Sequence, residues 1–421
     1  MQKKIENFML VDSVDDKYII ATYYLESKDI SKDLYQLAKN ISLDQSAGTW
    51  TDVEGETLEM LEKYGARVVD LNLLPSDSKN SAIAKIAYPI VNFPIEIPMI
   101  LATVAGNLMS QDGVKLLDIQ FTEKVLDKLV SPLVGVSGIR KKLNIEKEKP
   151  LIGAILKPCI GVEPEISAEG AAKAALGGVD VIKDDELLSG PSYSPMVKRV
   201  STVMEHLKAV GKEKDVLYAV NITGRNLLER AYRAIEAGAN ALMVNHFTLG
   251  WGIIEELVID LKDKGYEIPI LGHIAGAGAI YKSKNSGIAA PLLCGKLSRL
   301  AGLDIAVIYP DQGRFKFSTN ELIEIQKSLN KKLGSAKKCL PMLAGGLHPG
   351  KVPYMMDLLG NDILITAGGG IYGHPDGAEA GAKAMRQALN AHLNNIKITE
   401  AAKEYKELNK AISTWGVYNG N

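Results

Sequence analysis

From about residue 151 the chain repeats one pattern. Short aliphatic runs at 151–156, 179–182, 216–220, 241–244, 268–271, 304–308, 340–343 and 362–366 alternate with amphipathic stretches, clearest at 226–238 and 378–395. Continuous apolar runs predict strands buried on both faces, and the amphipathic stretches between them predict the covering helices. Eight such units over roughly 240 residues predict a (β/α)8 TIM barrel, an open doubly wound sheet being the structural alternative. The tail at 398–416 reads as a terminal helix.

The first half has no such rhythm. Runs at 18–26, 66–74, 82–91 and 114–121 read as strands, and 29–42 and 94–109 as helices, the second opened by prolines. Strands and helices without strict alternation predict an α+β domain. The charged stretch 140–150, ending in proline, is the expected boundary, giving an N-terminal α+β domain over 1–140 and a barrel with a C-terminal helix over 141–421.

Composition narrows the partners. The 421 residues carry a formal charge of −1, so no field favours nucleic acid or an anionic membrane, and neither is expected as a partner. The N-terminus lacks the apolar core of a signal peptide, and no run is long enough to span a bilayer. Cys159, Cys294 and Cys339 lie far apart without a CxxC pair, which favours a reduced compartment, the cytoplasm by default.

Catalytic groups of such a barrel sit just after the strands. Here those positions hold Lys157-Pro158-Cys159, then Lys183-Asp184-Asp185-Glu186, Asn221, Asn245-His246, His273 and Tyr309 before PDQGRFKF. Glycine turns at 344–346 and 367–370 follow the last two strands. The run Lys183–Glu186 is a solvated turn or a site. Alternation sends Lys183 and Asp185 to one side, and Glu186, past the strand end, can turn in to join them. Two carboxylates at that spacing suit a hard dication such as Mg²⁺. A lysine among them repels the metal unless CO₂ converts it to an anionic carbamate. Lys157 is either a snorkelling lysine or an acid/base group whose pKa falls beside a metal. The glycines are either helix caps or the barrel's usual phosphate site. Of His246, His273, His348 and His374, only His273, closing the fifth strand, is read as functional; the others are read as hydrogen-bonded rim or capping residues.

The segments KPCIGVEPE, GGVDVIKDDE, GHIAGAGA, LAGGLHPG and ITAGGGIYGHP, in that order, resemble the large subunit of RuBisCO. SAGTWTDVEG, IAYPIVNFP and AGNL extend the resemblance through the first half. It implies a ferredoxin-like N-terminal α+β domain, a C-terminal barrel and a homodimer with a shared active site, in places an oligomer of dimers. Thr49, Trp50 and Asn107 of one subunit would complete the other's barrel mouth. Lys183 resembles the carbamylated lysine, with Asp185 and Glu186 as co-ligands of one Mg²⁺ per site. Lys157 resembles the acid/base lysine and His273 the histidine after strand five. Gly346, Gly369 and Gly370, with Thr49, resemble the cradle of the substrate's first phosphate.

Departures from the carboxylase are as informative. Cys159 stands in place of a second lysine and Asp44 in place of a glutamate. Ile274, Val307 and Ala344 replace the arginine, histidine and serine that hold a second phosphate. Aliphatic groups cannot pair with a dianion. Arg314 and Lys316 lie near the place of the loop lysine, and Arg is not a neutral exchange for Lys. The chain thus resembles the RuBisCO-like (form IV) proteins, without a small subunit. The expected activity is Mg²⁺-dependent enolisation, as isomerase/tautomerase or decarboxylase, of a monophosphorylated keto-sugar or keto-sugar-acid. The alternatives are a ribulose-bisphosphate carboxylase, a 2,3-diketo-5-methylthiopentyl-1-phosphate enolase of methionine salvage, and a non-catalytic sugar-phosphate sensor. That enolase branch carries a lysine at the position of Asn107. The AGNL wording and the GGLHPG turn look more like the isomerase and decarboxylase branch.

Overall fold

The computed structural model describes residues 15–29, 33–49, 51, 53–75, 80–145 and 149–420, so Trp50 lies outside the described residues. Two compact units divide the chain. The first takes residues 1–130, 276–300 and 332–336, and the second 131–275, 301–331 and 337–421.

The first unit is built on four strands, β1 (Tyr18–Ser27), β2 (Arg67–Leu74), β3 (Asn80–Pro89) and β4 (Val114–Gln120). In β1 buried and half-buried positions alternate, as expected of a sheet with one covered face. A late segment, β10 (Gly287–Ile288), adds a fifth strand, giving the order β10-β4-β1-β3-β2. β10 runs parallel to β4 while the other pairings are antiparallel, so the sheet is mixed. The helix expected at 29–42 is Leu34–Asp44, capped by the Asp33 carboxylate on the Tyr35 and Gln36 N–H groups. The single helix expected over 94–109 is not formed. Ile97–Val104 is helical, the chain breaks at Ala105-Gly106, and Asn107 opens a short 3₁₀ turn, Asn107–Ser110.

The second unit closes into an eight-stranded parallel barrel. Its strands are β5 (Leu151–Ile155), β6 (Val181–Lys183), β7 (Leu217–Asn221), β8 (Ala241–Asn245), β9 (Ile270–His273), β11 (Ile305–Ile308), β12 (Leu340–Ala344) and β13 (Leu364–Ala367). β7 and β8 are buried at every position, which is why their sequences read as unbroken apolar runs. Buried carboxylates tie the strand starts together. Asp304 accepts from the N–H groups of Val134, Gly135 and Ile270 at 2.7, 2.6 and 2.8 Å. Asp180 accepts from Ile152 N at 2.7 Å and from Arg386 at 2.6 Å. The expected single terminal helix is two, Ile398–Glu404 and Lys406–Trp415, parted at Tyr405. Among the described residues no helix is long and apolar enough to cross a membrane.

Candidate active site

Lys183 is the last residue of β6 and is fully buried. Its Nζ donates to the Asp184 carbonyl at 2.8 Å and stands 3.8 Å from Glu186 Oε2. Lys157, just past β5, donates to Asp185 Oδ2 at 2.8 Å and to Cys159 Sγ at 2.7 Å. His273 closes β9 with its Nε2 3.4 Å from Glu186 Oε2. Its Nδ1 accepts from Ala275 N at 3.2 Å, which leaves the proton of the neutral ring on Nε2, toward Glu186. Three strand ends thus meet at two carboxylates.

The intervening carboxylate points the other way. Asp184 is fully buried and accepts from Arg199 Nε and Nη2 at 3.1 and 2.9 Å. Tyr218 Oη at 2.6 Å and Asn221 N at 3.0 Å complete its shell. Alternation along the strand end therefore gives one carboxylate to the helix layer and leaves Asp185 on the side of Lys183.

Electrostatics separate the two lysines. Burial pushes the Lys183 pKa down, against the pull of Glu186 and Asp185, which favours the neutral amine. Burial also acts to lower Lys157, but hydrogen bonds to Asp185 and Cys159 outweigh it and hold its pKa above the usual lysine value. Asp185 thus serves as the partner of the Lys157 ammonium. His273 is driven well below the usual imidazole range by burial, then by Lys183.

The glycine turns lie beside this cluster. A Cβ on Gly368 would stand 2.8 Å from Lys157 Cε, and one on Gly370 would stand 2.3 Å from the Leu347 carbonyl oxygen. Gly346, at φ 63°, holds a left-handed conformation that an L side chain resists. Gly369 and Gly370 open the short helix Gly369–Tyr372, where the first N–H groups have no partner within the helix. Backbone donors without side chains are what a phosphate requires. Arg314 is exposed in the loop after β11, its guanidinium 5.6 Å from the Phe315 ring centre, and Lys316 is exposed beside it. Thr49 and Asn107 belong to the first unit, half-buried and exposed respectively.

Of the other three histidines named from the sequence, His246 and His374 are buried and His348 is half-buried. Burial pushes His246 down to about 3, and it packs on Phe247 and Trp251 with ring centres 4.2 and 5.3 Å away. His348 is pushed down to about 4 by burial. His374 bonds the Glu407 carbonyl at 3.0 Å and accepts from Asp376 N at 3.0 Å.

Among the described residues no three His, Cys, Asp or Glu side chains form a metal-holding group. The donor set nonetheless fits a hard cation: two carboxylates supply oxygen, and a third oxygen would come from Lys183 once carbamylated. The sequence places Cys159, Asn221 and Asn245 after their strands but assigns no contact to any of them; the structure pairs Cys159 with Lys157 and sets both asparagines on the turn after β6. The signal for a shared role of the two asparagines is that both strands end on Val-Asn.

Fold and site define a class of protein, a (β/α)8 barrel joined to an α+β unit, with its titratable cluster and paired glycine turns at the strand C-termini. The family model described as ribulose bisphosphate carboxylase large chain, catalytic domain, matches residues 135–415, and its N-terminal-domain counterpart matches 11–125. The chain belongs to the ribulose bisphosphate carboxylase large-chain family. A ribulose bisphosphate carboxylase-like protein of Archaeoglobus fulgidus is 37% identical over 414 residues, covering 95% of this chain and 93% of its own. A 2,3-diketo-5-methylthiopentyl-1-phosphate enolase of Geobacillus thermodenitrificans is 36% identical over 411 residues, covering 94% and 98%. The crystal structure of a rubisco-like protein (MtnW) from Alicyclobacillus acidocaldarius superposes with a TM-score of 0.87 at 32% identity, covering 96% of this chain and 100% of that one.

Proposed function

We propose that this chain is a Mg²⁺-dependent enolising enzyme acting on a monophosphorylated keto-sugar or keto-sugar-acid, an isomerase/tautomerase or decarboxylase that fixes no CO₂. The observation that carries this reading is the convergence of Lys157, Lys183, Asp185, Glu186 and His273 beside two adjoining glycine turns. Lys183, as its carbamate, joins Asp185 and Glu186 in holding the metal, and burial of its amine favours the neutral form that attacks CO₂. When bound, Mg²⁺ supplies Lewis acidity that lowers the cost of an enolate. Lys157 moves the substrate proton, with its ammonium steered by Asp185 and Cys159. His273, neutral, offers its Nε2 proton at the rim. Gly346, Gly369 and Gly370 present backbone N–H groups to one phosphate. Ile274, Val307 and Ala344 are all buried and aliphatic, so the substrate's other end carries no second dianion.

In this reading the working unit is a cytoplasmic homodimer without a small subunit. Thr49, Trp50 and Asn107 of one copy serve the other's site, and Arg314 closes over it. The test is exchange of the substrate's α-proton with solvent deuterium, or CO₂ release, across a panel of keto-sugar and keto-acid monophosphates. Chelator and Lys183→Ala are expected to abolish it, and full activity in that variant overturns the reading. The second reading, a 2,3-diketo-5-methylthiopentyl-1-phosphate enolase, is favoured by the name of the Geobacillus relative. Asn107 in place of that branch's lysine weighs against it, and turnover of that compound decides. Labelled CO₂ entering ribulose bisphosphate would instead mark a carboxylase, and tight phosphate-ligand binding without turnover a sensor.

A further inference from the structure

Strands β7 and β8 both close on Val-Asn, Val220-Asn221 and Val244-Asn245, and both asparagines are buried. A buried carboxamide must place two N–H donors and an oxygen, so its partners show its use. Asn221 Nδ2 donates to the Asp185 carbonyl at 3.2 Å and to the Glu186 carbonyl at 3.0 Å. Asn245 Nδ2 donates to the same Glu186 carbonyl at 2.9 Å. Thr223 locks the pair together. Its N–H donates to Asn221 Oδ1 at 3.0 Å, and its Oγ1 accepts from Asn245 N at 2.9 Å.

The need for such support follows from β6, whose three residues end at Lys183. Asp185 and Glu186 lie beyond the sheet ladder, where no strand pairing fixes their backbone. Asp184, clamped by Arg199 and Tyr218, secures the turn on its outer side. The asparagines secure it from the neighbouring strands. We propose that Asn221 and Asn245 are positioning residues, a two-amide brace that sets the spacing and aim of the Asp185 and Glu186 carboxylates toward a hard dication. The inference rests on the metal reading given above, and it assigns the brace to side-chain amides that donate to the backbone carbonyls of Asp185 and Glu186.

The test titrates Mn²⁺ alone into the full chain in bicarbonate buffer, followed by calorimetry and by the Mn²⁺ spin-resonance signal. Asn221→Ala and Asn245→Ala are each expected to weaken Mn²⁺ by about tenfold or more, the usual effect of removing a group that orients a metal ligand. Asn221→Asp and Asn245→Asp keep the shape but set an oxygen against a carbonyl, and are expected to weaken it as much. A mere packing role predicts that the Asp variants bind as the wild type does. Far-UV circular dichroism checks the fold, and if an alanine variant does not fold, its serine counterpart, too short to reach the carbonyls, is read in the same way. A wild type that binds no Mn²⁺ sinks the metal reading itself. A wild type that binds, with all variants unchanged in affinity, overturns the brace alone.

Discussion

Within Lys183–Glu186 neighbouring carboxylates have opposite fates. Asp184 belongs to a buried ion pair with Arg199, both side chains at 0% exposure, while Asp185 pairs with Lys157 at the rim. Removing one partner of a buried pair strands the other charge. Asp184→Ala is therefore expected to lower the unfolding free energy by about 3–5 kcal/mol in urea denaturation. His246 makes a different prediction. Its folded pKa of about 3 lies below that of an exposed histidine, so below pH 6.5 the unfolded chain takes up a proton that the folded chain refuses. The His246 contribution to stability is thus complete above pH 6.5 and is lost on acidification toward pH 3, by about 1.4 kcal/mol per pH unit within that window. His246→Phe, which retains the ring against Phe247 and Trp251, is expected to lower the acid slope of stability by that one-proton share in urea titrations followed by tryptophan fluorescence, the shares of His273 and His348 remaining. Which carboxylate faces in was legible from alternation. Its outer clamp was not, because Arg199 lies 15 residues further along the chain.

At the scale of elements, the two glycine turns are held by different constraints. Gly346 has open space for a Cβ but a left-handed φ of 63°, so Gly346→Ala is expected to cost about 1–2 kcal/mol through backbone strain alone. At Gly370 a Cβ would stand 2.3 Å from the Leu347 carbonyl oxygen, which drives the two turns apart. Gly370→Ala is expected to lose affinity for inorganic phosphate in calorimetry, while Gly360→Ala, at the C-terminal end of the helix Val352–Leu359 with a left-handed φ of 75° and open space for a Cβ, is expected to keep it. The eight barrel strands were legible because burial on both faces leaves each as a continuous apolar run. The break at Ala105-Gly106 was not, since the apolar spacing of 94–109 runs on through it. Periodicity reports which face is buried and says little about where a helix stops.

Taken whole, the chain does not divide at one cut. Residues 276–300 belong with the N-terminal unit, where β10 pairs along β4, Gly287 with Lys115 and Ile288 with Leu116. The buried Lys115 ammonium donates to the carbonyls of Tyr281 and Ser283, both in that late segment. A chain of residues 1–130 alone would leave that ammonium without those acceptors and β4 as an open edge. It is expected to show no cooperative thermal transition, and the full chain is expected to unfold cooperatively. The sequence offered a single charged stretch at 140–150 as boundary, because composition marks solvated segments and carries no record of a distant strand pairing.

The sequence alone determined the class of each half, the order of the barrel strands and the identity of the rim residues. All of these follow from local spacing, which the chain carries in its own order. Tertiary structure decided which rim residues meet. It set Lys157 on Asp185, turned Asp184 outward and brought two asparagines onto the Asp185 and Glu186 carbonyls. Such contacts join residues some 15 to 60 positions apart, and only the side-by-side packing of neighbouring strands and helices brings them within hydrogen-bond distance.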